Sequence, residues 1–208
     1  MDDEKIEQLW KSKNTILKVM QDRKIIVPKE EFVPFDEFLN QAHETDEKTF
    51  RENMTLLLSK KSGIQTMVFW PVEQKLGTDV VRYIHSVLLD NECKNAIVVI
   101  DICVTTYSKR TIKNLRSSGI NIDVYTLKES QFNVMEHEYV PLHEICTASK
   151  KREVIKFYGL TDPKKLPHIK STEVTIRHLG AKKGQLIKIT RNSETQTGKM
   201  AICYRIVS

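Results

Sequence analysis

Basic side chains are concentrated between residues 109 and 116. Lys109, Lys113 and Arg116 recur at positions i, i+4 and i+7, which places them on one face of a helix, and Arg110 lies beside them. Such a stripe can neutralise several phosphates of a nucleic-acid backbone, giving an affinity that falls with salt and reads no base sequence. The same stripe is also typical of an ordinary solvated helix face. The spacing alone therefore leaves two interpretations open, phosphate contact and simple solvent exposure.

A second arrangement that could do chemistry is the triplet Glu73–Lys75, which follows a predicted strand. Metal-dependent nucleases combine such an acid–x–lysine triplet with a further aspartate, and the carboxylates hold a cation against the scissile phosphate. The preceding strand, residues 55–59, contains no acidic residue, and similar triplets occur by chance at 92–94 and 162–164. The sequence therefore predicts no catalytic residue. The basic stripe and this triplet leave one interpretation open, namely that the chain is a free-standing nucleic-acid-binding or metal-dependent nuclease-like protein.

A metal site is the third possibility, since His137, His143 and Cys146 occur close together. Zinc takes four ligands, usually Cys or His in pairs about two to five residues apart, and only one half-pair is present here. The remaining cysteines are scattered through strand-like apolar runs, where a thiol behaves as a small hydrophobe. We therefore expect no metal site, no disulfide framework and no cofactor.

Composition predicts a globular protein with two units of different charge. The 208 residues carry a formal net charge of +6, and 40% of them are hydrophobic. Residues 137–208 contain 14 Lys and Arg against 6 Asp and Glu, whereas residues 1–136 contain 19 against 21. No apolar run approaches the ~18 residues that span a bilayer, and the acidic, amphipathic start is unlike a signal peptide. We therefore expect a soluble, intracellular protein.

Apolar periodicity in the first part of the chain predicts a small α/β domain that ends near residue 130. A stripe from Ile6 to Met20 predicts a long amphipathic helix, and Pro34 is expected to open a short second helix. The polar segment 44–53 predicts either a loop or a solvated helix. The other predicted elements are a hairpin with strands at 55–59 and 65–72, a helix capped by Thr78, a buried strand at 96–104, a basic helix at 107–117 and a strand at 121–127.

The second part of the chain predicts a compact α+β module after a linker at 132–141. Its predicted elements are a helix at 148–158 ended by Gly159, a turn at Asp162-Pro163, a short helix at 172–179 ended by Gly180, a strand at 185–191, a turn at 192–198 and a last strand at 199–207. Gly180 and Gly184 bracket a tight helix-to-strand turn in which glycine can take a positive φ. In the last strand, the even residues from Met200 are apolar and should share one face.

Several C-terminal motifs together resemble a known family. In chain order they are Leu166–Ile169, Gly180–Gly184, Leu186–Arg191, Ser193–Thr195, Gly198 and Tyr204-Arg205. Their order and spacing closely resemble the C-terminal assembly module of the shared fifth subunit of eukaryotic RNA polymerases, a module that also has an archaeal counterpart. The segment 136–141 and runs in the first half, at 9–10, 67–71 and 96–100, are also similar to that eukaryotic protein. The resemblance therefore covers nearly the whole chain.

This resemblance implies an architecture and a role. We expect an α/β N-terminal jaw domain, residues 1–134, with a nuclease-like arrangement but no active site, and a small α+β C-terminal assembly domain, residues 135–208. The implied function is that of a non-catalytic subunit of a multisubunit DNA-directed RNA polymerase. It would form part of the lower jaw near downstream DNA and dock on the largest subunit, which would hold the polymerase Mg²⁺. The implied partners are other polymerase subunits, downstream DNA through weak non-specific contacts, and general transcription factors, with no membrane.

The resemblance also implies two sets of site residues. The DNA-proximal set is Ser108, Lys109, Arg110, Lys113 and Arg116, and the subunit-docking set is Lys182, Lys183, Lys188, Arg191, Glu194 and Arg205. The chain departs from the family at Thr172-Glu173 and Asn192, and its jaw loop Thr106–Lys109 lacks the proline that family members tend to have. A jaw domain argues against an archaeal source. The implied location is the nucleus, or the cytoplasm or virion if a large DNA virus encodes the chain.

Overall fold

The structure is a computed structural model that describes residues 1–61, 63–192 and 199–208. The chain forms two compact units, Met1–Phe132 and Asn133–Ser208. This division falls two residues before the boundary expected from the sequence, because a 3₁₀ turn at Val134–Glu136 belongs to the second unit. Within the described part of the chain, no helix has both the length and the apolar character needed to cross a membrane.

The N-terminal unit is an α/β domain, as predicted. Its helices are α1 (Asp3–Asp22), α2 (Phe35–Glu44), α3 (Glu47–Asn53), α4 (Thr78–Asp90) and α5 (Thr106–Ser117). Its strands are β1 (Ile25–Ile26), β2 (Leu56–Lys60), β3 (Gln65–Phe69), β4 (Lys75–Leu76), β5 (Asn95–Ile100), β6 (Cys103–Val104) and β7 (Asn121–Thr126). The main sheet has the order β1-β2-β3-β5-β7, in which β2 and β3 form the predicted antiparallel hairpin and β3, β5 and β7 run parallel.

Helices cover the main sheet of this unit on both sides. In β5, Ile97 and Val99 pack on the side of α1, α2 and α3, whereas Val98 and Ile100 pack on the side of α4 and α5. Because successive side chains of a strand point to opposite faces, an unbroken apolar run is what a strand buried on both faces requires. The predictions of a long amphipathic first helix and a buried central strand are confirmed.

Several predicted boundaries in this unit are wrong. The run predicted as one strand to residue 104 ends at Ile100, because the chain turns at Asp101 and Cys103 and Val104 pair with β4 instead. The strand predicted to reach residue 72 ends at Phe69, shortly before Pro71, which has no N–H to offer a sheet. Gly77, not Thr78, flanks the start of α4, which has no side-chain cap. Of the two alternatives predicted for residues 44–53, loop and solvated helix, the helix is correct, but α3 is not fully solvated because its Phe50 is buried.

The C-terminal unit is an α+β domain, which confirms the prediction. Its helices are α6 (Ala148–Phe157) and α7 (Val174–Leu179), and its strands are β8 (Leu142–Ile145), β9 (His168–Ile169), β10 (Leu186–Asn192) and β11 (Met200–Val207). The sheet order is β8-β10-β11-β9, with β10 antiparallel to both neighbours and β9 parallel to β11. Gly180 ends α7 with φ of 64°, and Gly184 precedes β10 with φ of 84°, as the turn was predicted to need.

Both faces of the C-terminal sheet carry part of a core. On one face, Leu186 and Ile206 pack with Val154 of α6. On the other, Ile187 and Val207 pack with Ile176 of α7. This two-sided burial is confined to the end of the sheet near β9, since the burial of β11 decreases toward Met200. The predicted turn at 192–198 lies, from Ser193 to Gly198, outside the described residues.

Candidate nucleic-acid and subunit interfaces

Helix α5 presents a short basic surface. Thr105 caps the helix by accepting a hydrogen bond from the Ser108 amide at 3.3 Å, and Ile112 is the buried apolar residue that fixes its inner face. Lys109, Arg110 and Lys113 are exposed on the remaining surface. Three neighbouring cations on a rigid helix can contact phosphates without reading a base sequence. We refer to these three residues as the α5 basic surface.

Two residues of the predicted DNA-proximal set do not belong to that surface. Ser108 is fully buried, and its hydroxyl lies 2.8 Å from the Thr105 hydroxyl, so its side chain is not part of the exposed surface. It shares the inner side of the helix with Ile112. Arg116 is about half exposed, but its guanidinium donates to the Ile122 carbonyl at 3.2 Å and lies 3.7 Å from an Asp123 carboxylate oxygen. Its charge is therefore partly used in holding α5 to β7.

The turn between α7 and β10 presents Lys182 and Lys183, which are both exposed. The backbone of this turn is fixed by reciprocal hydrogen bonds. The Lys182 amide donates to the Gln185 side-chain oxygen at 2.6 Å, and the Gln185 amide donates to the Lys182 carbonyl at 3.0 Å. Because the backbone is fixed while the side chains are exposed, this turn can present two positive charges to an acidic partner.

The rest of the predicted docking set is divided between the two faces of the sheet. Lys188 lies on the α6 face and forms an ion pair with Glu144 at 2.9 Å across β10 and β8. Arg191 and Arg205 point to the opposite face, because they occupy odd positions of the β10–β11 ladder. Glu194 lies outside the described residues. The predicted set therefore does not form a single surface.

The surroundings shift the pKa values of two titratable groups on the α6 face. Hydrogen bonding to the Glu144 carboxylate raises the pKa of Lys188, so the ammonium stays charged at neutral pH. Burial raises the pKa of the Cys146 thiol. A thiol that keeps its proton is a poor nucleophile and a poor metal ligand.

The structure separates the residues considered for metal binding. His143 and Cys146 lie on opposite faces of the C-terminal sheet, and a ring nitrogen of His143 is hydrogen-bonded to the Pro141 carbonyl at 2.6 Å. Glu73 lies in an exposed loop. Among the described residues, no group of three or more His, Cys, Asp or Glu is arranged to hold a metal ion.

An ion-pair network that the sequence did not reveal lies where β3 and β5 end. Arg51 of α3 is only 1% exposed and donates to both carboxylate oxygens of Asp101, at 3.0 and 3.1 Å, and to the Pro71 carbonyl at 2.8 Å. Glu47 lies 3.0 Å from Arg51 and 2.9 Å from Lys5. The carboxyl edge of a parallel sheet is a common position for active sites. Here a guanidinium occupies both oxygens of the aspartate at that edge, which opposes cation binding there.

No local pattern could have indicated this network. Arg51 lies in a polar segment, and its partner Asp101 is 50 residues away at the end of another element. The nearest signal was the i, i+4 pair of Phe50 and Met54, which is typical of an amphipathic helix with a buried face.

Comparisons with known proteins identify the family. The chain matches the profile described as "RNA polymerase Rpb5, N-terminal domain" over residues 3–88 and "RNA polymerase Rpb5, C-terminal domain" over residues 132–207. It is 30% identical over 221 aligned residues to "DNA-directed RNA polymerases I, II, and III subunit RPABC1" of Caenorhabditis briggsae, with both chains covered completely. The Dictyostelium discoideum protein named "DNA-directed RNA polymerases I, II, and III subunit rpabc1" is 27% identical over 207 residues, which is 98% of each chain.

An archaeal relative matches one part of the chain only. "DNA-directed RNA polymerase subunit Rpo5" of Pyrococcus abyssi is 39% identical over 79 residues, which is 38% of this chain and 93% of that relative. The two matched profiles fall on the two compact units of the structure. The chain therefore belongs to the RNA polymerase Rpb5 family, whose members are subunits of DNA-directed RNA polymerases.

Proposed function

We propose that this subunit has no catalytic group of its own and acts by assembly, docking through its C-terminal unit on other polymerase subunits, chiefly the largest. The single observation that supports this most directly is the full-length match to polymerase subunits shared between enzymes. We further propose that the N-terminal unit is a jaw near downstream DNA, in the nucleus. Its parallel strands β3, β5 and β7 are compatible with the nuclease-like arrangement expected from the sequence, and the Arg51–Asp101 pair supports the lack of an active site.

The docking proposal rests on Lys182 and Lys183. Their side chains are exposed, and the turn that presents them is held by hydrogen bonds of the Lys182 backbone to the side chain and the amide of Gln185. Complementary charge on a partner would orient the encounter and oppose binding to the wrong surface. Lys188 is a poorer probe of docking, because reversing its charge would also create repulsion with Glu144 inside this unit.

Charge reversal of Lys182 and Lys183 to glutamate tests the docking proposal. A tagged chain carrying both changes should recover less of the large polymerase subunits than the wild-type chain, by about tenfold if ~1.4 kcal/mol of binding is lost. The matched control reverses Lys164 and Lys165, which are also adjacent, exposed lysines of the same unit. Equal recovery with all three chains would remove Lys182 and Lys183 from the interface.

The jaw proposal rests on the α5 basic surface. Lys109, Arg110 and Lys113 are exposed cations on one helix, and such groups bind phosphates with strong salt dependence. Reversing Lys109 and Lys113 should make elongation complexes dissociate at lower salt than those with the wild-type subunit. The control reverses Lys29 and Lys61, two exposed lysines elsewhere in the same unit. An unchanged salt profile for the α5 variant would contradict DNA contact through this helix.

A further inference from the structure

Strand β11 has an edge that its own sheet leaves largely open. One side of β11 pairs along its length with β10. On the other side, β9 pairs only with Ile206 and Val207. Among the described residues, no strand lies on that side of β11 between residues 200 and 205. We refer to this side of residues 200–205 as the β11 edge.

The direction of the backbone groups follows from two hydrogen bonds. The Val207 amide donates to the Gln185 carbonyl just before β10, and the Ile206 amide donates to the Pro167 carbonyl on the other side, both at 2.9 Å. Because adjacent residues of a strand direct their amides to opposite sides, the outward groups repeat at every second residue before Ile206. The N–H and C=O groups of Tyr204, Ile202 and Met200 therefore point out from the β11 edge.

The sequence explains why β9 does not continue along this edge. Extending the same parallel ladder would require an N–H at residue 167 to bond the Tyr204 carbonyl. Residue 167 is proline, which has no backbone N–H. The preceding residues form a 3₁₀ turn at Pro163–Lys165, so the chain leaves the sheet at this point.

The side chains along the edge are apolar on one face and basic on the other. Met200 and Ile202 are 60% and 50% exposed on the α6 face. Leu142 of β8, which is 58% exposed, lies on the same face beyond Thr190 of β10. By strand alternation, the opposite face carries two exposed cations, Lys199 just before the strand and Arg205, whose guanidinium also donates to the His168 carbonyl at 3.4 Å. Exposed apolar edge strands invite pairing with other chains, and proteins usually cover or block them.

We propose that an extended segment of another polymerase subunit adds to the β11 edge as a further strand. This inference rests on the proposed assembly function and specifies its contact. The segment would have about five residues, or ~16 Å, to match Met200–Tyr204. Its side chains would alternate, with apolar residues next to Met200 and Ile202 and acidic residues facing Lys199 and Arg205. Backbone hydrogen bonds would supply affinity, and this alternation would supply specificity.

Amide hydrogen exchange tests the proposal on the unmodified full chain. The exchange rate of each amide in β11 is compared between the free chain and the chain in the polymerase that co-purifies with it. The outward amides of Ile202 and Tyr204 should exchange at least about 100-fold more slowly in the polymerase. The inward amides of Ala201 and Cys203, which face β10, should be protected in both samples and serve as the internal control.

The outcomes separate this proposal from the function on which it rests. If the chain recovers the large subunits but its outward amides exchange equally fast in both samples, strand addition is overturned and the subunit role stands. If the chain recovers no polymerase subunit, the proposed function fails and strand addition fails with it. If the outward amides are already protected in a free chain that elutes as a dimer, a second copy occupies the edge and the proposal is wrong.

A proline variant supplies a second measurement. Ile202→Pro removes one outward N–H from the edge, and proline is tolerated on edge strands. We expect it to reduce recovery of the large subunits at least about tenfold, whereas Ile202→Val, which keeps the N–H and the apolar side chain, should not. Protection of the Ile189 amide in β10 reports whether the variant is folded. If it is not folded, the exchange comparison on the unmodified chain still decides the question.

Discussion

Arg51 has the role that its neighbours in the sequence predict least well. It stands in a polar stretch, yet it is buried and bound to Asp101 through two parallel hydrogen bonds. A guanidinium is suited to this position, because its planar fork matches a carboxylate and it stays charged when buried. The pair joins α3 to the end of β5, and the additional bond to the Pro71 carbonyl ties in the end of β3.

Removing the guanidinium should strongly destabilise the N-terminal unit. Arg51→Ala leaves the mostly buried Asp101 carboxylate with the Lys5 ammonium at 3.3 Å but without its two guanidinium hydrogen bonds, which should cost about 3 kcal/mol of unfolding free energy. Urea unfolding followed by tryptophan fluorescence measures this, because both tryptophans, Trp10 and Trp70, lie in this unit. The control is Arg82→Ala, since Arg82 pairs with Asp79 at the exposed surface and its loss should change stability by less than about 1 kcal/mol. Equal effects of the two changes would contradict the assigned role.

The same network predicts that the stability of the folded chain depends on pH. Burial acts to raise the pKa of Glu47, but the Lys5 ammonium and the Arg51 guanidinium outweigh it, so the pKa lies below its ordinary value of 4.5. A carboxyl whose pKa is lowered in the folded state adds stability above its unfolded pKa and loses it as pH falls through the folded pKa. The wild-type chain should therefore exceed Glu47→Gln in stability at pH 7, and the difference should shrink below pH 4.5.

Unfolding free energies measured between pH 7 and acid conditions check this expectation. Glu52→Gln in the same helix is the control, because Glu52 forms only an exposed pair with Lys48 at 4.0 Å. A difference between wild type and Glu47→Gln that stays constant with pH would show that the Glu47 carboxylate contributes through packing and not through its charge.

At the scale of elements, a small buried polar cluster joins three parts of the N-terminal unit. The Trp70 indole donates to the Ser12 hydroxyl at 3.1 Å, which links the end of β3 to α1. The Ser130 hydroxyl donates to the Ser12 hydroxyl at 2.8 Å, which links α1 to the 3₁₀ turn after β7. Ser12 and Ser130 are at most 1% exposed. A buried cluster of this kind fixes the relative positions of the elements that it joins.

Ser12→Ala should remove both hydrogen bonds to the Ser12 hydroxyl and lower the unfolding free energy. The change leaves the buried Trp70 N–H without an acceptor, and an unsatisfied buried donor costs about 1–3 kcal/mol. Tryptophan fluorescence should detect both the lower unfolding free energy and the altered surroundings of Trp70. Ser117→Ala is the control, since the Ser117 hydroxyl is exposed and bonds only within its own helix. A change within about 0.5 kcal/mol for Ser12→Ala would mean that another group satisfies the indole.

The elements themselves followed from local signals wherever those signals were strong. The stripe of α1, the basic helix α5 and the glycine that ends α7 are all confirmed, because hydrophobic periodicity and a positive φ act within a few residues. Strand ends were predicted less well. The end of β5 depends on Asp101 meeting Arg51 and on β6 meeting β4, which are contacts distant in sequence.

At the scale of the whole molecule, part of the positive charge is engaged in contacts within the chain. In the basic C-terminal unit, Lys188 pairs with Glu144, Lys150 pairs with Glu153, and Lys151 donates to the Gly184 carbonyl at 2.8 Å. In the N-terminal unit, Arg116 is partly engaged by Asp123. These ion pairs leave the net charge of +6 unchanged, so the attraction for nucleic acid depends on where the exposed cations lie and not on the net charge alone.

The free chain should bind DNA weakly and with a small salt dependence, because the α5 basic surface offers three cations. If the α5 basic surface supplies the contacts, about three phosphates are neutralised and the slope of log K against log salt should be near −3. Reversal of Lys109 and Lys113 should abolish most of this binding, whereas reversal of Lys29 and Lys61 should not. Fluorescence anisotropy with a short duplex over a range of salt measures both quantities. A much steeper slope that survives the α5 reversal would favour a free-standing nucleic-acid-binding protein.

By itself the sequence determined the two kinds of domain, most of the helices and strands, and the family, because these depend on periodicity, turn residues and motifs that are local in the chain. The tertiary structure alone decided which polar side chains are available. It buried Ser108, paired Lys188 with Glu144 across 44 positions and joined Arg51 to Asp101 across 50. It also left the β11 edge open. The physical reason is that burial and pairing of charges depend on strands and helices meeting in space, which no local spacing specifies.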